Sequence, residues 1–105
     1  MTEEETAIVR RFRAAIGEIY GDRLERVVLF GSRARGDATP DSDYDIAVFI
    51  KEHGTFTFEA KQLAEVSTDI LLDTGAVINA MPFPAGAHVR RSGFMHELRT
   101  DGLDL

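Results

Sequence analysis

The chain has 105 residues, 44% of them hydrophobic, a formal net charge of −6 and no cysteine. This length predicts a single domain, residues 1–105, because domains of roughly 100–150 residues seldom divide, and the acidic balance argues against long nucleic acid as a ligand. Without cysteine there can be no disulfide or thiolate metal site, and without an apolar run of about 20 residues or a secretory signal we expect a soluble cytoplasmic protein that does not bind membranes.

The first half of the chain predicts a helix, a strand, one helical turn and a loop. Thr2 followed by Glu5 is typical of a capping box, and apolar residues then recur at helical spacing up to Tyr20. A short apolar run ended by Gly31 predicts a buried strand. In order, these elements are a helix over 2–20, a strand over Val27–Phe30, one turn of helix over Arg33–Arg35 capped by Ser32, and a loop over Gly36–Ser42.

The second half of the chain predicts a strand, a helix, a strand and a weaker helix. These elements are a strand over about Tyr44–Ile50, a helix over about Thr57–Thr74 ended by Gly75, a strand over Ala76–Met81 stopped by Pro82 and Pro84, and a helix over Val89–Arg99 before a frayed acidic tail. The element order predicts an α/β (α+β) domain with a short mixed β-sheet and helices packed on one face.

Gly31 and Ser32 lie where the first strand turns into a helix, and backbone N–H groups at such a turn lack internal partners. Those groups, the partial positive charge of the helix start and the Ser32 hydroxyl suit a phosphate oxygen, while Gly31 allows close approach of a ligand. Arg33 and Arg35 can add charge-assisted bonds, although only one faces the ligand because residues two apart on a helix diverge. Taken alone, a Gly-Ser pair after a strand is most often only a turn.

Asp43 and Asp45 open the second strand and, being two residues apart, point to the same face while Tyr44 points away. Two neighbouring carboxylates are hard oxygen ligands suited to Mg²⁺ when phosphate groups fill the remaining positions. Such a pair supports metal-assisted phosphoryl or nucleotidyl transfer. An Asp-x-Asp pair alone is more often a solvated loop, but the pair and the Gly-Ser turn together favour a nucleotide and metal site.

The run Gly31-Ser32-Arg33-Ala34-Arg35-Gly36, followed by Ser42-Asp43-Tyr44-Asp45, resembles the signature of minimal nucleotidyltransferases in the DNA polymerase β superfamily. The order of predicted elements is similar to that of MntA-like antitoxins paired with HEPN-domain ribonuclease toxins. The resemblance implies transfer of AMP from ATP to a tyrosine hydroxyl of the toxin. It also implies that Gly31 and Ser32 bind the nucleotide phosphates and that Asp43 and Asp45 are catalytic ligands of Mg²⁺.

The strand over Ala76–Met81 departs from the family pattern, which often has a third carboxylate there. Asn79 is the polar residue of this strand, and we assign it as the third metal ligand. An amide oxygen can bind Mg²⁺ but cannot act as a base on the attacking hydroxyl. Two alternatives remain open: a binding-only antitoxin with a weak nucleotide site, and an aminoglycoside-type enzyme that modifies small molecules and needs a second domain or a homodimer to form its acceptor pocket.

Overall fold

Four strands form one mixed sheet in the computed structural model, which describes residues 1–105. The spatial order is β3-β2-β1-β4. Strand β2 runs antiparallel to β1 and parallel to β3, and β4 runs antiparallel to β1. The strands are β1 (Leu24–Phe30), β2 (Tyr44–Ile50), β3 (Ile78–Pro84) and β4 (Leu103–Asp104). The predicted short mixed sheet is confirmed, with β3 and β4 at its two edges.

Four α-helices surround the sheet, and their ends follow local capping signals. They are α1 (Glu3–Tyr20), α2 (Ser32–Arg35), α3 (Phe56–Thr74) and α4 (Gly93–Asp101), with short 3₁₀ helices at Gly21–Arg23 and Ala87–Val89. The predicted capping box is present, because the Glu5 N–H donates to the Thr2 hydroxyl and the Thr2 N–H donates to the Glu5 carboxylate. None of these helices has the length and apolar character needed to cross a bilayer.

Side-chain alternation along β2 divides the core between the two faces of the sheet. Ile46 and Val48 pack with α1 and α3 in a cluster of 15 buried residues. Ala47 and Phe49 face the other way and join a smaller cluster of six residues that includes Leu98 of α4. The two long helices therefore share one face, as predicted, and α4 covers part of the opposite face.

Strand β3 continues through Pro82 and Pro84, so the prediction that these prolines stop it is wrong. The Tyr44 N–H donates to the Val77 carbonyl and the Ala85 N–H donates to the Ile50 carbonyl, which places odd-numbered β3 residues toward β2. Both prolines are even-numbered, so the N–H that each lacks would have pointed away from the sheet. An edge strand tolerates proline at such positions.

The end of the chain also differs from its prediction. The last helix begins at Gly93 rather than Val89, because the Ser92 side chain accepts a hydrogen bond from the Met95 N–H and caps the helix there. The tail is not frayed but forms β4, where Asp104 pairs with Arg26 at 2.8 Å. The Leu105 N–H also donates to the Val27 carbonyl at 2.9 Å.

Candidate active site

The strand register brings three separated parts of the chain together at one end of the sheet. Asp45 lies opposite Phe30, the last residue of β1, and beside Asn79 on β3. Gly31 follows Phe30 directly, so the predicted phosphate turn lies next to the predicted carboxylates. All of these side chains belong to the face opposite α1 and α3, because Tyr44 between the two aspartates is buried on the α1 and α3 face.

Gly31 approaches the carboxylate of Asp45 so closely that no other residue fits without displacement. Its backbone has φ 74° and ψ −159°, a combination that L side chains essentially do not adopt. A Cβ atom added at Gly31 would lie 2.5 Å from Oδ2 of Asp45. The turn and Asp45 are therefore packed as one unit, and the glycine is needed for both reasons.

The two aspartates have no cationic partner. The six ion pairs of the structure engage other carboxylates. Asp45 is half-buried and makes no side-chain hydrogen bond, whereas Oδ2 of Asp43 accepts one from Nδ2 of Asn79 at 2.8 Å. Neighbouring carboxylates without a counter-charge repel each other, so the donor set suits a hard divalent cation. No group of three or more His, Cys, Asp or Glu side chains that could hold a metal ion occurs in the structure, so the donors of this site are two carboxylates and the Asn79 amide.

Helix α2 presents its first N–H groups next to this carboxylate pair. The N–H groups of Ala34 and Arg35 both donate to the Gly31 carbonyl at 3.1 Å. Those of Ser32 and Arg33 come too early in the helix to find a partner within it. Together with the half-buried Ser32 side chain, they are donors available to an anion.

Arg33 and Arg35 have different roles. Arg35 bonds only through Nε, to the exposed Asp37 at 3.3 Å, which leaves its other two guanidinium nitrogens available to a ligand. All three guanidinium nitrogens of Arg33 donate to protein acceptors, including Glu5 at 3.1 Å and the Ser42 carbonyl at 2.7 Å. The same group lies 4.1 Å from the ring centroid of Tyr44, on the face away from the aspartates. Of the two arginines, of which only one was predicted to face the ligand, these contacts favour Arg35, while Arg33 anchors the 36–43 loop to α1.

Burial and hydrogen bonding shift two pKa values around Arg33. A hydrogen bond from the Thr2 backbone and the bonds and charge of Arg33 together hold the pKa of Glu5 below its usual value, although burial opposes them. Burial raises the pKa of Tyr44, and the charge of Arg33 opposes that shift.

A recess of about 220 Å³ adjoins Gly31 and was missed by sequence reasoning. Its walls include Phe30, Arg35 and Phe94, with the rings of the two phenylalanines in edge-to-face contact at 5.4 Å. No local signal in the sequence could have placed Phe94 here, because α4 reaches the site only through its packing on the sheet, where Phe94 contacts Phe30 of β1 and Phe83 of β3.

Known proteins resemble this chain in sequence and in fold. A sequence profile described as the nucleotidyltransferase domain matches residues 9–92. A Methanocaldococcus jannaschii protein provisionally named protein adenylyltransferase MJ0141 is 29% identical over 98 residues, which cover 93% of this chain and 95% of that protein.

Two crystal structures share the fold, each with a TM-score of 0.61. One is a mutant of the toxin–antitoxin MntA–HpeT, 14% identical, and covers 88% of this chain. The other is a toxin–antitoxin with AMP-PNP, 17% identical, and covers 89% of this chain. The alignments span 68% of each matched chain. The sequence profile confirms the nucleotidyltransferase resemblance inferred from the motif, and the two structures confirm the fold.

Proposed function

Because the chain belongs to the nucleotidyltransferase domain family, we propose that it transfers AMP from ATP to a tyrosine hydroxyl of a partner HEPN-domain toxin and so acts as a cytoplasmic antitoxin. The observation that carries this proposal is the close packing of Gly31 against the unpaired carboxylate of Asp45. This packing places the N–H groups proposed to bind phosphate next to the carboxylate proposed to bind metal. The protein adenylyltransferase name of one relative and the toxin–antitoxin structures favour a protein acceptor.

In the proposed reaction the acceptor hydroxyl oxygen attacks the α-phosphorus of ATP. A new phosphorus–oxygen bond forms, the bond from the α-phosphorus to the oxygen bridging toward the β-phosphorus breaks, and pyrophosphate leaves with that bonding pair. The hydroxyl proton passes to water, and the amide of Asn79 cannot accept it. Positioning and charge neutralisation supply most of the catalysis in such transfers.

In this proposal, different residues of the site bind the phosphates, the metal ion and the base. Gly31 and Ser32 would hold phosphate oxygens through their N–H groups and the hydroxyl, with Arg35 as an auxiliary charge. Asp43, Asp45 and Asn79 would hold Mg²⁺, and the missing counter-charge at the two aspartates fits such an ion. When bound, Mg²⁺ neutralises phosphate charge and lowers the pKa of the attacking hydroxyl. The recess beside Phe94 has room for the base.

The test is transfer of label from α-labelled ATP to the co-expressed partner. Wild type, Asp43→Asn and Asp45→Asn should be compared with Asp69→Asn, a control that removes a similar charge from the exposed side of α3. We expect label on the partner with wild type and the control, lost on chelation of Mg²⁺. Label that persists in both site variants would refute the assignment, and label that persists when the acceptor tyrosine is changed to phenylalanine would refute the acceptor.

A binding-only antitoxin is the second candidate, and Asn79 is the observation that favours it. The position beside Asp45 in the register holds an amide instead of a third acid, which removes a base and a charge from the site. If the double variant Asp43→Asn, Asp45→Asn still neutralises the toxin in cells, the antitoxin acts by binding alone. If neutralisation is lost while the affinity for the partner is unchanged, the antitoxin acts by AMP transfer.

A further inference from the structure

A groove of about 610 Å³ runs between α3 and β3. Its lining includes Ala64 and Thr68 of α3 and Val77 before β3, and Asp45 and Asn79 of the candidate site line the same space. A cavity of this size is in the range that binds ligands. It reaches the carboxylate of Asp45 and does not belong to the phosphate turn, which lines a different recess.

Strand β3 offers this groove a free edge with backbone groups that have no partner. Because odd-numbered residues of β3 bond to β2, the N–H and C=O groups of Ile78 and Ala80 point away from the sheet. Beyond them, Pro82 and Pro84 have no N–H to offer. Strand addition from outside is therefore possible only along the first half of β3, next to Asn79 and Asp45.

We infer that this groove receives an extended segment of the partner protein, which pairs its backbone with Ile78 and Ala80 and presents its acceptor hydroxyl to Asp43 and Asp45. The inference rests on the proposed function and adds to it how the acceptor binds. The span from Val77 to Met81 is about 13 Å, at roughly 3.3 Å per residue, and matches four or five residues of extended chain. Main-chain pairing of this kind gives affinity while side-chain pockets give selectivity.

The side chains of the groove restrict the chemistry of this segment. Val77 is 42% exposed and Leu71, which also lines the groove, is 41% exposed. An apolar side chain of the segment would remove both from water. Asp45 is the one charged residue of the lining, in a protein of net charge −6. A segment with apolar or basic residues around its tyrosine therefore fits, and an acidic one does not.

The experiment uses the full chain and a capped peptide of sequence lysine-valine-tyrosine-valine-lysine. Amide exchange measured by NMR should show protection of the Ile78 and Ala80 N–H groups when the peptide is added. The N–H groups of Asn79 and Met81 already bond to β2 and serve as internal controls. A peptide of the same sequence with methylated backbone nitrogens should bind at least about tenfold more weakly, which corresponds to about 1.4 kcal/mol.

A groove variant separates acceptor binding from nucleotide binding. Ala64→Arg fills the groove from an exposed position of α3, and Ala14→Arg places the same side chain at an exposed position of α1. We expect Ala64→Arg to weaken peptide binding by about tenfold or more, whereas Ala14→Arg should not. The affinity of Ala64→Arg for ATP with Mg²⁺ should stay unchanged.

Each of the following results would overturn the inference: no peptide binding at millimolar concentration, binding without protection of Ile78 and Ala80, or equal binding of the methylated peptide. If protection depends on protein concentration and sedimentation shows a dimer, the groove is occupied by a second copy of the chain, and this result would also overturn the inference. If the peptide protects these N–H groups but no acceptor receives AMP, the proposed function fails and the groove assignment stands.

Discussion

Replacement of Gly31 by alanine tests whether the turn and the carboxylate pair act as one unit. The backbone at Gly31 has φ 74° and ψ −159°, which costs a residue with a side chain roughly 1–3 kcal/mol. The added Cβ would also lie 2.5 Å from Oδ2 of Asp45, whereas ordinary contact begins at 3.4 Å. The carboxylate oxygen must therefore move by about 0.9 Å, a distance at which positioning effects reach roughly 100-fold in rate.

We expect Gly31→Ala to lower the melting temperature and to damage the proposed transfer far more than its stability loss explains. For a domain of this size each kcal/mol shifts the melting temperature by roughly 4–8 °C. At a temperature where the variant stays folded, transfer should fall by about 100-fold. The affinity for ATP with Mg²⁺, measured by calorimetry, should fall as well because Asp45 is displaced.

Gly36→Ala is the control, because Gly36 also has a positive φ but lies away from Asp45. Gly36 has φ 86°, and an added Cβ meets no atom within 4 Å. This variant should lose about 1–2 kcal/mol of stability from the left-handed backbone and keep its affinity for ATP with Mg²⁺. Equal activity and affinity in the two variants would show that the approach of Gly31 to Asp45 has no functional role.

Four further variants follow. Arg33→Ala should lower the free energy of unfolding, measured by urea titration, by roughly 2–4 kcal/mol without changing nucleotide affinity, measured by calorimetry. Arg35→Ala should weaken nucleotide binding and leave the free energy of unfolding unchanged. The opposite pattern would contradict these roles. Burial raises the pKa of Tyr20 from 10.0 to about 12. The folded state then keeps a proton that the unfolded chain loses near pH 10, so stability falls as pH rises from 10 to 12, by up to about 1.4 kcal/mol per pH unit. Tyr20→Phe should flatten that slope, and an unchanged slope would refute the cause. Asn79→Asp should melt lower without Mg²⁺ and gain more from Mg²⁺ than wild type; an equal gain would place residue 79 outside the metal site.

The paired carboxylates and the glycine turn could be predicted because their arrangement is local. Alternation along one strand places Asp43 and Asp45 on one face whatever the rest of the fold does. The contact between Gly31 and Asp45 needs only that β1 and β2 are neighbours in register. The choice between Arg33 and Arg35 is different, because it depends on partners supplied by other elements.

Edge strands were the least predictable part of the fold. Whether Pro82 is tolerated depends on which side of β3 lacks a neighbour, and that is a property of the sheet order. The tail forms β4 because β1 offers its free edge there and Arg26 pairs with Asp104. Neither fact is encoded in the composition of the segment itself, which reads as turn formers and acids.

The charge balance of the site connects these observations. Arg33 is withdrawn into contacts with Glu5 and Ser42, so Arg35 is the only one of the two motif arginines left to meet a triphosphate beside Asp43 and Asp45. One guanidinium cannot offset both the phosphates and the two carboxylates, whose mutual repulsion at short range is strong. In the proposed reaction, cations must supply the remaining positive charge. Nucleotide binding should therefore depend on Mg²⁺ more steeply than on Arg35, because the proposed site has only one arginine to offset this negative charge.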